Sequence, residues 1–380
     1  MPRPGPLEGL LVLDLSRVLS GPFATMLMAD LGARVIKVEP PHGDDSREYG
    51  PYLEGQSLYF ARVNRGKESV RLDLKQPADH SLLLRIADRA DVLIENYRPG
   101  VMGRLGLDYD TLAARNPALV YASISGFGQT GPWRLRPAYD TVVQASSGFM
   151  SVTGRPEDPA TKPGLPVADL AAGLYAFGGV LAAVHGRGAT GRGTHVDIAM
   201  HDAVVSLLEG AALSYLATGA APPKIGNAHY SIAPFDTYRC NDREIVICAA
   251  NDALFARVAR LLDCADLLDD ARFADNRSRH LHRQQLKSRL ESKLGQRPAG
   301  EWLTLLDAAE VPCGPVSDVA EALENEQTRS RQMVVDSAGL PLPGSAIKLR
   351  DWPEDGVRGP APALDADGER LRREFAADLS

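Results

Sequence analysis

Apolar positions in the first 200 residues fall into short runs with two alternating rhythms. Leu10–Leu15 (LLVLDL) is a compact apolar run suited to a buried strand, and a Gly-Pro break follows at Gly21–Pro22. Phe23–Leu31 spaces its apolar residues three and four apart, which predicts a helix that Gly32 ends. Arg34–Val38 reads as the next strand. Further strands are expected over Ser69–Leu74, Val92–Ile94 and Leu119–Ile124, with helices over Ser81–Arg89 and Tyr109–Ala114. Such alternation implies parallel strands joined by right-handed crossovers, an α/β fold. Leu170–Val184 is rich in Ala and Gly and apolar on nearly every face, so it predicts a buried helix that its small residues let pack closely. A strand over Thr194–Ala199 and a long amphipathic helix over Asp202–Tyr215 complete this region.

The pattern then changes. Ala217–Pro234 is rich in Pro, Gly and Ala and reads as a linker. Strand-like Ile245–Cys248 and short helices, among them Ala253–Leu262 and Glu301–Ala309, form a second unit. The end of the chain carries short β-like pieces, a Pro-rich turn (GPAPAL) and a charged helix near Gly368–Phe375. A length of 380 residues fits two or more domains.

Charge and cysteines narrow the function classes. The chain holds 42 basic and 49 acidic residues, a net charge of −7, which argues against a nucleic-acid or anionic-membrane partner while leaving room for a local anion site. The start, MPRPGPLEGL, has no signal-peptide pattern, and the longest apolar stretch, Leu165–Val184, is interrupted by Asp169 and by glycines, so no membrane span is expected. Cys240, Cys248, Cys264 and Cys313 form no CxxC pair and no metal-ligand cluster. A cytoplasmic protein with free thiols and no metal follows.

Two motifs carry candidate chemistry. Gly126–Gly131 (GFGQTG) matches GxGxxG after a strand, but Pro132, Trp133 and Pro137 forbid a helix at the third glycine. A flexible loop near a substrate is the better reading. Asp169, in GLPVADLAAG, stands where an irregular segment enters the apolar helix. It reads either as an N-cap or as a carboxylate nucleophile kept ionised by the helix N-terminus. Lys75, Arg98, Arg104, Arg134 and Arg136 are either a solvated face or an anion site for a phosphorylated ligand.

Several long segments, in order, resemble one family. GLLVLDLSRVLSGPFATMLMADLGARVIKVEPP, RGKESVRLDLK, ADVLIENYRPGVMGRLGLDYDTL, NPALVYASISGFGQTGP and PVADLAAGLYAFGGVLAAVHGRGATGRGTHVDIAMHDAV are similar to the class III coenzyme A transferases (the formyl-CoA transferase/carnitine CoA-transferase, CaiB/BaiF type). GDDSREYGPYLEGQSLYF and GNAHYSIAPFDTY are most similar to the acetyl-CoA:oxalate CoA-transferase branch. The resemblance implies a large Rossmann-like domain over residues 1–216, a linker over 217–234, a small α/β domain over 235–323 and a segment, 324–380, returning to the large domain. It further implies a ring-shaped subunit in an interlocked homodimer.

The implied chemistry places the nucleophile on Asp169, acting through an aspartyl anhydride and an aspartyl-CoA thioester. CoA thioesters are substrates, no cofactor is permanently bound, and a small carboxylic acid is the acceptor. Implied CoA contacts fall on Val18, Leu19, Leu72, Asp73, Lys75, Asn96, Tyr97, Arg98, Arg104, Arg136 and Tyr139. Leu19 stands where formyl-CoA transferases carry Gln, Pro137 where they carry Lys, and GNAH (Gly226–His229) where they carry a Gly-rich loop. These departures favour acetyl-CoA or another short acyl-CoA over formyl-CoA as donor. The acceptor is expected to be a small dicarboxylate such as oxalate, with succinyl-CoA and another dicarboxylate as the alternative pair. The α-methylacyl-CoA racemases share the fold, but their catalytic His is matched by Tyr139, a poor base at neutral pH.

Overall fold

The computed structural model describes residues 5–352 and 359–376. The leader reading at residues 1–4 and the final four residues of the C-terminal segment therefore lie outside the described residues. The chain divides into two compact units. The first comprises the described residues up to Phe149, Lys162–Leu208 and those from Glu326 on; the second comprises Met150–Thr161 and Glu209–Asn325.

Unit 1 is built on a six-stranded sheet. Its strands are β1 (Leu11–Asp14), β2 (Arg34–Glu39), β3 (Glu68–Arg71), β4 (Val92–Glu95), β5 (Val120–Ser125) and β6 (His195–Ala199). All pairs are parallel, in the order β3-β2-β1-β4-β5-β6, which is the Rossmann order. Every residue of β4 and β5 is buried, as central strands covered on both faces require. On one face pack α1 (Ser20–Asp30), α4 (Asp140–Ser146), α5 (Val167–Thr190) and α6 (Met200–Ser206). On the other pack α2 (Pro77–Arg89) and α3 (Tyr109–Arg115), joined by Leu371 and Phe375 at the end of the chain. The hairpin β10 (Val334–Ser337) and β11 (Leu340–Pro343) also belongs to this unit.

Three differences from the sequence expectation have physical causes. First, α1 starts at Ser20, before the Gly-Pro pair, because proline's missing N–H costs nothing in a first helical turn. Second, α5 is not buried all round. Ala168, Ala172, Ala176 and Val180 face the core, while Leu174 is 54% and Tyr175 45% exposed. By length and composition alone α5 could cross a membrane, yet its inner face completes the core beside α1. A side chain at Gly173 would stand 2.7 Å from the Ser20 carbonyl and 2.9 Å from the Phe23 ring, so glycine sets how closely these helices cross. Third, the helix expected over Asp202–Tyr215 is two helices, α6 and α7 (Glu209–Thr218), separated at Leu207–Leu208. The apolar pattern runs through the break and hides it. The division of the chain accordingly falls at Leu208 instead of residue 216, and residues 150–161 belong with unit 2.

Unit 2 has a three-stranded antiparallel sheet of β7 (Phe235–Arg239), β8 (Glu244–Cys248) and β9 (Cys313–Pro315), in the order β9-β8-β7. Helices Asp252–Leu261, Arg283–Leu294 and Ala299–Ala308 close its core around Ile245, Ile247, Phe255, Leu290 and Trp302.

Candidate active site

Strand order reverses between β1 and β4, since β1 continues toward β2 on one side and β4 toward β5 on the other. Loops leaving these two strands diverge and open a crevice at their carboxyl ends, the usual ligand position in an open α/β sheet. A cleft of about 350 Å³ lies there, bounded by Arg17–Ser20 after β1 and Asn96–Pro99 after β4. Ile124–Gly126 at the end of β5, Arg136–Tyr139, Asp45, Tyr49, Met200 and Asp169 complete its walls, Asp45 pairing with Arg17 at 3.1 Å.

Buried charges hold the loop after β1. Asp14, fully buried, accepts from the Ser16 N–H and hydroxyl, from Thr25 Oγ1 at 2.7 Å and from Lys67 Nζ at 2.9 Å. Lys37 Nζ, equally buried, pairs with Asp44 at 2.8 Å and donates to the Ser16 carbonyl at 3.0 Å. Burial opposes these charges, but Lys67 and Lys37 bring the Asp14 carboxyl down to about 2. Burial wins at Lys67, whose ammonium drops to about 8. Asp44 also accepts the Val18 N–H at 3.2 Å, and Val18 has a φ of +65°. A β-branched residue in the left-handed region is costly and persists only where its surroundings impose it, as happens at ligand sites.

Asn96 ties the two loops together. Its Oδ1 accepts the Arg17 N–H at 2.9 Å, and its Nδ2 donates to the Arg17 carbonyl at 2.8 Å and to Ser20 Oγ at 3.3 Å. This side-chain amide, expected to contact CoA, lines the cleft and also braces it. Glu95 beneath it is buried, accepts the Tyr97 N–H at 2.8 Å and, through burial, has its carboxyl pushed up to about 7. Arg98 donates to the Leu135 carbonyl at 2.8 Å, and the Arg136 guanidinium lies 4.5 Å from the Trp133 ring centre. Tyr139 is 81% exposed at the rim.

Asp169 is the third residue of α5. It is not the N-cap: that position is Pro166, which has no capping side chain. Capping is supplied from another helix by Asp140, whose Oδ1 accepts the Ala168 N–H at 2.8 Å and the Asp169 N–H at 3.4 Å. Nor does the helix terminus keep Asp169 strongly ionised. Burial, and then the neighbouring Asp140 carboxylate, push its carboxyl up to about 7. The carboxyl therefore holds its proton well above the ordinary carboxylate range, and its anion is more basic than an ordinary aspartate. Tyr59, on helix Leu58–Asn64, is pushed up to about 12 by burial and by Asp169.

Val18, Leu19, Asn96, Tyr97, Arg98, Arg136, Tyr139 and Asp169 thus converge on one cleft. Leu72, Asp73, Lys75 and Arg104 are not on its walls. The Leu72 side chain is buried in the second core layer, Asp73 accepts the Lys75 N–H in a turn, and Lys75 and Arg104 are exposed. The GFGQTG loop contributes Gly126 to the cleft, and no helix follows until α4. Asp140 and Tyr59 escaped sequence reasoning as partners of Asp169. An acid opening its own helix gives no sign that it caps another, and Tyr59 lies in an ordinary amphipathic turn. Among the described residues no group of three or more His, Cys, Asp or Glu could hold a metal, and the four cysteines are free.

Known proteins match nearly the full length of the chain. The model of CoA-transferase family III matches residues 7–368. The acetyl-CoA:oxalate CoA-transferase of Acetobacter aceti is 48% identical over 98% of this chain and 96% of its own length. The succinate–glutarate CoA-transferase of Agrobacterium fabrum is 37% identical over 90% of this chain and 88% of its own. The crystal structure of a CaiB/BaiF family protein from Brucella suis superimposes with a TM-score of 0.88 at 38% identity, over 98% of this chain and all of that one.

Proposed function

The chain belongs to CoA-transferase family III, and we propose that it moves CoA from a short acyl-CoA to a small dicarboxylate through covalent intermediates on Asp169. The observation that carries this reading is the Asp169 carboxyl itself. It opens on the cleft at the strand-order reversal, no cation pairs with it among the described residues, and its basicity is raised. An Asp169 oxygen attacks the thioester carbonyl, the C–S bond breaks, and its electron pair leaves on the CoA thiolate, giving a mixed anhydride. The thiolate attacks the aspartyl carbonyl and expels the donor acid as carboxylate, giving the aspartyl-CoA thioester. The acceptor carboxylate attacks that carbonyl and releases thiolate, which takes the acceptor acyl group and frees Asp169.

Within the cleft, Val18, Leu19 and Tyr97 hold the thioester end, while Arg98 and Arg136 meet the pantetheine and phosphate portion. Asp73, Lys75 and Arg104 receive the nucleotide end outside it, and the buried Leu72 side chain anchors their segment to the core. Acetyl-CoA and oxalate are the proposed pair, supported by the Acetobacter relative. The Agrobacterium relative supports the second reading, succinyl-CoA with another dicarboxylate. A cytoplasmic homodimer is proposed with it, and the exposed Leu174 and Tyr175 face of α5 supplies apolar surface for a second copy.

The test is a transfer assay with acetyl-, formyl- and succinyl-CoA against a panel of acids, new CoA esters being identified by mass spectrometry. Oxalyl-CoA from acetyl-CoA is the expected product. Asp169→Ala abolishes transfer while still binding CoA; substantial turnover by that variant sinks the nucleophile assignment.

A further inference from the structure

Asp140 sits beside the nucleophile on a different helix, and its carboxylate is fully engaged. One oxygen accepts the Ala168 and Asp169 N–H groups at 2.8 and 3.4 Å; the other accepts Gln144 Nε2 at 2.6 Å. An α-helix begins with N–H groups that lack partners, and Pro166 cannot serve them. Asp140 therefore fixes the turn that carries Asp169. It also places a second negative charge beside the first. The groups facing Asp169 are Asp140 from α4 and Tyr59 from helix Leu58–Asn64. Arg17, Arg98 and Arg136 line the same cleft, but none of them offsets the Asp140 charge at Asp169.

We propose that Asp140 is a positioning residue: it caps the first turn of α5 and, by its charge, biases Asp169 toward the neutral, covalently bonded states. The inference rests on Asp169 being the nucleophile. A free Asp169 carboxylate is a second anion against Asp140. Bonded to an acyl group or to the CoA sulfur, the same side chain is uncharged and the repulsion is gone. Attack moves the negative charge from Asp169 to the departing thiolate or carboxylate, so the cost of the charged ground state becomes a driving force toward both intermediates.

The test compares wild type with Asp140→Asn in the full chain. Asparagine keeps the oxygen that accepts from α5 and loses the charge. Gln144 is fully buried, its Oε1 has no partner among the described residues, and by turning its amide it accepts from the new Nδ2. One readout is the acid limb of kcat/KM. Removing a like charge moves it to lower pH, by about one pH unit. The other is the fraction of enzyme carrying CoA on Asp169 at fixed acyl-CoA, read by intact-protein and peptide mass spectrometry. The equilibrium for adduct formation falls about tenfold, the same pH unit expressed as a ratio. If the asparagine variant does not accumulate, Asp140→Ser keeps an oxygen acceptor without charge and gives both readouts. An adduct of equal extent in variant and wild type, with an unmoved acid limb, overturns this inference alone. Wild-type enzyme with no adduct on Asp169 overturns the nucleophile reading, and this inference with it.

Discussion

Replacing Asp169 by asparagine stabilises the folded protein above neutral pH. The side chain keeps its size and loses a charge that burial and Asp140 disfavour. Its proton is held up to about 7 in the fold, against an ordinary 3.8. At about 1.4 kcal/mol per pH unit the full difference is about 4 kcal/mol. Two effects reduce it. Water in the cleft screens the half-buried carboxyl, and an anion in a first helical turn gains about 0.3–1 kcal/mol from the helix dipole, which asparagine forfeits. About 1–3 kcal/mol remains, or roughly 2–10 °C in midpoint for a unit of this size. The pH dependence carries the sign. Below about pH 4 both folded and unfolded chains hold the proton, and the carboxyl costs nothing. Between about pH 4 and 7 only the folded chain holds it, so wild type loses stability as pH rises; above about pH 7 the loss is constant. Calorimetric melts of both proteins from about pH 4.5 to 8.5 give the difference curve, in which other carboxylates cancel. A difference that is flat through that range, or a variant less stable at about pH 8, refutes the assignment of Asp169 as a carboxyl held uncharged by its surroundings.

Two further outcomes concern the frame around the cleft. Asp44→Ala leaves the Lys37 ammonium buried without its closest partner and frees the Val18 N–H, so denaturant unfolding shows a loss of about 3–5 kcal/mol. The double variant Asp44→Leu, Lys37→Met recovers most of that stability, and failure to recover would mean the pair is not the cause. Gly173→Ala pushes α5 off the Ser20 carbonyl at a cost of about 1–3 kcal/mol and, one turn from Asp169, lowers kcat more than it raises KM; an unchanged kcat with normal stability would show that the crossing tolerates a methyl group.

Strands β1, β2, β4 and β5 were legible because each is an apolar run that local pattern alone requires to be buried. The crevice was half legible. ENYRP and the SRVLSGP loop stand out as polar segments ending such runs, and both line the cleft. Their roles were not, because a role depends on partners far away in sequence. Asn96 lines the cleft and also holds Arg17, 79 residues away, and Asp140 acts 28 residues from the N–H it accepts. Lys37, in the run RVIKV, is buried, and its partners Asp44 and Asp14 lie elsewhere in the sequence. The break at Leu207–Leu208 was invisible for the opposite reason, since both sides of it are equally apolar.

A Rossmann sheet commonly binds phosphate with the free N–H groups of its first strand-to-helix turn, at the N-terminus of the following helix. Here the loop leading into that turn is largely committed within the protein. The N–H groups of Leu15, Ser16, Arg17 and Val18 are given to Ile94, Asp14, Asn96 and Asp44 respectively. Pro22 brings no N–H to the first turn of α1. An anion entering the crevice meets guanidinium groups on its rim, from Arg98, Arg136 and Arg17, the last paired with Asp45 at 3.1 Å. The interior of the crevice is left to carboxyl groups, Glu95 beneath the floor and Asp169 on the wall, both pushed up to about 7. In the proposed mechanism rim and interior divide the work: cations meet the charged carrier outside, and the carboxylate inside loses its charge on forming the anhydride and the thioester. That division suits the acyl exchange proposed here on a phosphorylated carrier.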